Sequence, residues 1–412
     1  MTTDRRNFLK KSLLGTGCLM LGLPTINAHT KSDLKITKIS HYRDPDYKKP
    51  TFAQARDIVV VETNSGISGI GEGGSKEMIQ NCAEMLIGED PFRIEHLWQK
   101  VYRGYFYPSG RERLHAMGAL DMALWDIKGK ALKTPVYELL GGLTRDYVPC
   151  YSTGFPNQGS TRETAKACME AGFYAFRTGG SVIEAKEIFD AHKYLDAIYR
   201  ICEQIREGVG EKGQWCIDFH ARFDTPEAVT LSNMIEHLKP VFVEDLIRSE
   251  NPGIYRTLRN KVNVPIAVGE QFGDRWDINE MIEEHMIDHS RVTLPNVGGI
   301  TELKKIAAIC ETHYVGMIPH FTGPISTAAL VHVLASSSGF VMAEILGNSE
   351  TKTDYLNDDY LTFKNGKLYP NERPGLGVEF NPRNVDLVNV ITERSDYDHP
   401  MFRRSDGSYT NW

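Results

Sequence analysis

The sequence predicts an α/β protein: a parallel TIM-type barrel preceded by a small N-terminal α+β domain. Three observations carry this. Two β-rich segments and a strong helix occupy the first third of the chain, and eight short apolar runs then alternate with amphipathic segments. Three acids, Asp218, Glu244 and Glu270, stand 26 residues apart at the ends of consecutive runs. Such alternation is the pattern of a parallel sheet with crossover helices, and 26 residues suits one strand–helix unit. A doubly wound open sheet alternates similarly, but it usually opens with a Gly-rich first turn, and none is found here.

Taken in order, the first element is an address. "DRRNFLKK" sets Arg5 and Arg6 before Phe8, Leu9 and Lys10, and "SLLGTGCLMLGLP" follows as a short apolar run with small residues near Ala28. Residues 1–30 look like a twin-arginine export signal, which implies the export machinery as a partner and a periplasmic or exported protein. The run is too short for a stable membrane span. A lipoprotein anchor at Cys18 is the lesser alternative, because Gly15 stands where such signals usually carry Leu.

"DLKITKISHYRD" and "RDIVVVETNSGISGIGEGG" then read as strands of a small antiparallel sheet, with a turn at Asn64–Gly66. In "AMGALDMALWDIKGKALKTPVYELLGG", Met117, Leu120, Leu124, Ile127 and Ala131 recur at helical spacing, and Pro135 and Gly141–Gly142 end the pattern. These segments make an α+β domain over 33–140. The eight runs over 145–350 are "YVPCYST", "FYAFRTG", "QWCIDFH", "PVFVEDL", "PIAVGEQ", "HSRVTLPN", "YVGMIPH" and "GFVMAEI". The turn-rich segment 351–412 is expected to return to the N-terminal domain.

Composition narrows the partners. The chain has 412 residues, 41% apolar and 25% charged, enough for a large core. A net charge of −7 without a Lys/Arg block argues against nucleic acid or an anionic membrane surface. Six cysteines follow the signal, at 82, 150, 168, 202, 216 and 310, without CxxC pairs. Each reads as a small buried apolar residue.

Residues at the C-terminal ends of barrel strands point into the mouth, where active sites form. Three carboxylates gathered there would repel strongly, so they call for a cation. Oxygen ligands without thiolates favour Mg²⁺, or Mn²⁺, over zinc. The alternative is that one or two of the acids cap the following helices.

The motifs "VYRG", "DMALWDIKGK", "LLGG", "DFH" at Asp218–His220, "FVEDL", "AVGE", "NVGGIT", "PHF", "MAEI", "PGLGV" and "NW" together make the chain resemble one family. It is identified as a member of the enolase superfamily, mandelate racemase/muconate lactonizing enzyme-like, and is most similar to the mannonate dehydratase type of acid-sugar dehydratases. The resemblance covers nearly all of the chain after the signal. It implies a modified (β/α)7β barrel with a capping α+β domain, Mg²⁺ held by Asp218, Glu244 and Glu270, and a homo-oligomer.

The resemblance also assigns roles. His220, two residues from Asp218 and on the same face if the strand continues, would be the general acid for a departing hydroxyl; alternatively it only hydrogen-bonds a carboxylate. His320 matches the family histidine on strand seven, as base or substrate-binding group, but Thr293 stands where many relatives carry an Asp. Arg177 on strand two matches an Arg that works with a Tyr on the α-proton; Phe189 lies at the expected Tyr place, and Tyr194 is a remote substitute or part of a helix face. Permanently charged and a poor base on its own, Arg177 would alternatively bind or neutralise a substrate anion. Glu344 would orient His320 or hold substrate hydroxyls, with helix capping as the alternative; Arg291, Trp276 and Arg222 fall near the barrel mouth, the first two as candidate substrate-binding residues, and surface salt bridges or packing explain each equally well.

The expected function is Mg²⁺-dependent dehydration of a sugar acid, through α-proton removal to an enediolate and loss of the β-hydroxyl. The product would be a 2-keto-3-deoxy acid. A racemase, epimerase or cycloisomerase of the same superfamily is the alternative within the fold. A non-catalytic sugar-acid binding protein is the alternative from another class.

Overall fold

The structure is a computed structural model that describes residues 33–43, 57–179, 188–321, 323–347, 353–395 and 401–410. The signal-like segment and Cys18 lie outside them. Strands β1 (Ile36–Arg43), β2 (Asp57–Thr63) and β3 (Ser68–Glu72) form an antiparallel sheet, and helices α1 (Lys76–Glu84), α2 (Ile94–Arg103), α3 (Arg111–Leu132) and the short α4 (Val136–Leu139) follow. This is the expected α+β layer, with the turn between β2 and β3 closed by Gly66 at φ +82°.

Helix α3 departs from the single apolar stripe. Met117, Leu120, Leu124 and Ile127 are buried as expected, Ala131 is only half-buried, and most of the helix between Arg113 and Gly129 is buried all round. The cause is its place between the small sheet and the barrel. It lies so close on β3 that a Cβ on Gly71 would run into the backbone oxygen of Ala119, and one on Gly69 into that of Ala123. Gly71→Ala is therefore expected to cost roughly 1–3 kcal/mol by overpacking. Urea denaturation measures it, and an unchanged midpoint would show that the helix can retreat from the sheet.

All eight apolar runs become parallel strands: β4 (Val148–Thr153), β5 (Ala175–Gly179), β6 (Gln214–Asp218), β7 (Val243–Glu244), β8 (Ile266–Val268), β9 (His289–Ser290), β10 (Gly316–Met317) and β11 (Ala343–Ile345). Each of β4 to β9 pairs in parallel with the next, β9 pairs β10, Met317 bridges Val341, and β11 returns to β4. The barrel is closed. Seven intervals carry helices: α5 (Thr161–Glu170), α6 (Ala191–Val209), α7 (Thr225–Ile235), α8 (Tyr255–Arg259), α9 (Arg275–Glu283), α10 (Ile300–Thr312) and α11 (Pro324–Ala335). This is the (β/α)7β order. Tyr151, Ala175, Cys216, Phe242, Ala267, Ile318 and Met342 form one buried cluster of barrel residues.

The C-terminal segment does two jobs where one was expected. Its hairpin β12 (Thr362–Lys364) and β13 (Lys367–Tyr369) pairs antiparallel with the start of β4, at the foot of the barrel. Only β14 (Asp386–Ile391) returns to the small sheet, beside β1. The six cysteines among the described residues are free and buried. No helix among the described residues is long and apolar enough to cross a membrane.

Candidate active site

Asp218 and Glu244 are the last residues of β6 and β7, and Glu270 lies two residues past β8, after Gly269. Each offers one oxygen, and the three oxygens lie within 4.8 Å of one another. Gly269, at φ +158°, lets the chain pass β9, where a Cβ would run into the Val292 nitrogen.

His220 reaches this cluster by a turn and not by strand alternation. β6 stops at Asp218, and His220 and Ala221 take φ of +50° and +52°, a conformation that non-glycine residues adopt at a cost and that is enriched at functional sites. The turn brings His220 Nε2 to 2.6 Å from Asp218 Oδ2, and the backbone N–H of His220 donates to Oδ1. Arg222 Nη1 stands 3.4 Å from His220 Nδ1.

Two buried arginines thread the acids. Arg177 on β5 donates to Asp218, to Glu344 Oε1 at 2.7 Å and to Thr153 Oγ1 at 3.2 Å, with Nε 3.1 Å from Glu244 Oε2. Arg291 donates to Glu244 Oε1 at 2.6 Å, to Glu344 Oε2 at 3.0 Å, to the Ile318 carbonyl and to the Tyr151 hydroxyl. Glu344 on β11 also accepts from Thr153 Oγ1 and the Phe321 N–H. His320, past β10, places Nε2 3.2 Å from Glu270 Oε2.

The electrostatics follow from this pairing. Burial works to raise the Glu344 carboxyl, but Arg177 and Arg291 overcome it and hold the group well below the usual range. Asp218 is likewise held down to about 2 against burial, by Arg177 and His220. Glu244 is pushed up to about 7 by burial, with the charges of Asp218 and Glu270 adding to it, and Glu270 is raised by burial and by Asp218. Two arginines thus leave negative charge uncompensated. Burial lowers His320 to about 4, so the ring is neutral, whereas His220 is raised because Asp218 outweighs burial.

A divalent cation fits these residues. Glu244 Oε2, which is off the hydrogen-bond direction of Arg177 Nε despite the 3.1 Å separation, and Glu270 Oε2 are buried oxygens without a hydrogen bond. An all-oxygen set with orphaned carboxylate atoms suits Mg²⁺ or Mn²⁺.

The structure therefore gathers Asp218, Glu244, Glu270, His220, His320, Arg177, Arg291 and Glu344. Arg177 is locked among the acids: burial would weaken its charge, but Glu244, Glu344 and Asp218 fix it, and Nη1 and Nη2 donate to Glu344 and Asp218. Trp276, in the first turn of α9, stands apart from the acids; its half-exposed ring stacks on Tyr102 at 5.3 Å and under Arg275 at 3.9 Å. Phe189 is exposed, and Tyr194 is buried against Phe189 and Phe223 in the helix layer. Thr293 is fully buried, its hydroxyl without a hydrogen bond. Sequence reading missed Tyr151 and Thr153. They alternate with period two at the end of the first barrel strand, the signal that places side chains on its inner face.

Comparison with known proteins agrees with this geometry. Residues 160–384 match the enolase C-terminal domain-like family, and residues 49–141 match the mandelate racemase/muconate lactonizing enzyme N-terminal domain. The chain is 34% identical to D-galactonate dehydratase of Pectobacterium atrosepticum, over 92% of this chain and all of the relative. The D-galactonate dehydratase of Ralstonia pickettii is also 34% identical over the same shares. Among solved structures, an enolase from Pantoea ananatis with bound D-gluconate and Mg shares 28% identity and a TM-score of 0.75, covering 85% of this chain and 94% of that one. A member of the enolase superfamily from Salmonella Typhimurium gives 27% identity and a TM-score of 0.77, covering 87% and 99%. The chain belongs to the enolase superfamily, in its mandelate racemase/muconate lactonizing enzyme-like group.

Proposed function

We propose that this protein is a Mg²⁺-dependent dehydratase of a six-carbon aldonic acid, with Mn²⁺ as a substitute metal. The observation that carries the reading is the oxygen-only cage of Asp218, Glu244 and Glu270 with His220 against one wall and His320 against another. The names of the relatives support the substrate class: D-galactonate for the curated enzymes, and D-gluconate and Mg in the solved enolase.

A divalent cation bound by the three acids would draw charge from the substrate carboxylate and so ease loss of the α-proton. His320, neutral and beside Glu270, takes the α-proton. His220 gives a proton to the β-hydroxyl, which leaves as water. The resulting enol collects a solvent proton at C3 as it becomes the 2-keto-3-deoxy acid. Arg177, Arg291 and Glu344, buried and paired with one another and with the cage acids, hold those acids in register.

The test is 2-keto-3-deoxy acid formation from a panel of aldonic and uronic acids. Turnover of galactonate, gluconate or a close epimer, abolished by EDTA and restored by Mg²⁺, is the expected result. A panel without any metal-dependent product would defeat the reading. We also propose export as a folded homo-oligomer through the Arg5–Arg6 signal; cell fractionation of the Arg5→Lys/Arg6→Lys protein should show it retained in the cytoplasm, and unchanged export would refute that part.

A further inference from the structure

Of the three cage acids, Asp218 and Glu244 are gripped by arginines, and Glu270 is held more loosely. Arg291 Nη2 stands 4.0 Å from its Oε2, and its backbone lies beyond the end of β8. Its main chain is fixed from a neighbouring turn: Asn296 Nδ2 donates to the Glu270 carbonyl at 3.3 Å. That turn, 293–299, is closed by bonds from Val297 N to Thr293 O, Gly298 N to Pro295 O and Gly299 N to Leu294 O. Gly298 and Gly299 take φ of +95° and +98°, which glycine adopts without strain.

The capping domain holds this turn from its other side. Helix α3 packs so tightly there that a Cβ on Gly118 would run into the Pro295 carbonyl. Trp98 Nε1 donates to the Gly298 carbonyl at 2.9 Å. Asp121 accepts the Thr301 N–H at 3.0 Å and the Thr301 hydroxyl at 2.5 Å, at the N-terminus of α10, where a carboxylate also meets the positive end of the helix dipole. The loop on the other side of Glu270 is tied in the same way, because the Tyr102 hydroxyl donates at 2.8 Å to Asp274, the cap of α9.

We propose that the capping domain positions Glu270, with Asn296 as the direct link and Asp121 as the residue that fastens the turn. This rests on the reading of Asp218, Glu244 and Glu270 as a cation site. It joins two motifs, "GALDMALWDI" and "NVGGIT", into one device: the helix that carries the first presses on the turn formed by the second. Asn296 and Asp121 touch neither cation nor substrate in this scheme and act through the placement of one ligand.

The experiment titrates Mn²⁺ into the full-length protein, following the free ion by electron paramagnetic resonance and adding Mg²⁺ as competitor. Asn296→Ala and Asp121→Asn are expected to weaken cation binding about 10-fold, the lower end for residues that orient a metal ligand. At saturating Mg²⁺ the KM for the acid stays near the parental value, and excess Mg²⁺ restores turnover. Ile79→Val, in the capping core, supplies a comparison that lowers stability modestly and keeps parental affinity. Parental Mn²⁺ affinity in Asn296→Ala overturns the proposal, as does equal weakening by Ile79→Val. Should Asp121→Asn fail to fold, Asn296→Ala decides alone. A parent protein that binds no Mn²⁺ defeats the cation reading before any variant is compared.

Discussion

Arg291→Met should unfold about 3–5 kcal/mol more readily than the parent protein, the range for breaking a buried ion pair from one side. Arg291 is fully buried, and its guanidinium serves Glu244, Glu344, the Ile318 carbonyl and the Tyr151 hydroxyl together. Methionine fills the volume of the stem but supplies no donor. Two carboxylates and two neutral oxygens would then lose a partner where water cannot replace it. Arg256 makes a useful contrast, since its pairs with Glu280 and Glu284 are half exposed and their loss should cost under about 1 kcal/mol. Urea denaturation of both variants checks the difference. Equal, small losses would mean that the buried network relaxes or takes up protons at little cost.

His220→Asn should lower kcat by roughly 10²- to 10⁴-fold, the usual contribution of a placed general acid, while cation binding persists. Asparagine can still approach Asp218, so the cage keeps its shape, but it has no proton to give to a departing hydroxyl. Steady-state kinetics with a calorimetric Mg²⁺ titration separates the two effects. Unaltered turnover would remove His220 as the acid and leave it as a carboxylate partner only. Loss of metal affinity would instead make it a support for Asp218.

Much of this protein is legible in its sequence because barrel strands are bounded by physical punctuation. All eight apolar runs became strands, although β7, β9 and β10 are only two residues long. The even spacing of Asp218, Glu244 and Glu270 reported a real convergence, since a parallel barrel repeats one strand end per unit. What escaped depends on contacts distant in sequence. Tyr151 and Thr153 gain meaning only once β11 and β4 close the barrel and bring Glu344 beside them. The partners of Arg177 were hidden in the same way, because its three acids come from other strands. Trp276, placed after strand five, stacks its half-exposed ring on Tyr102 of the capping layer, a contact between residues far apart in sequence. The turn at His220 was hidden for a different reason: nothing in "DFHAR" announces two consecutive left-handed non-glycine residues.

The central claim is that the cage and the two histidines remove an α-proton and a β-hydroxyl from one substrate. The most direct measurement is proton NMR of the best aldonic acid with enzyme and Mg²⁺ in D₂O. The account predicts that the C2 hydrogen disappears in step with the appearance of a 2-keto-3-deoxy product carrying solvent deuterium at C3. Exchange of the C2 hydrogen without loss of water would contradict it and indicate a racemase or epimerase. A spectrum unchanged despite bound acid would contradict it more deeply, leaving a protein that binds sugar acids without transforming them.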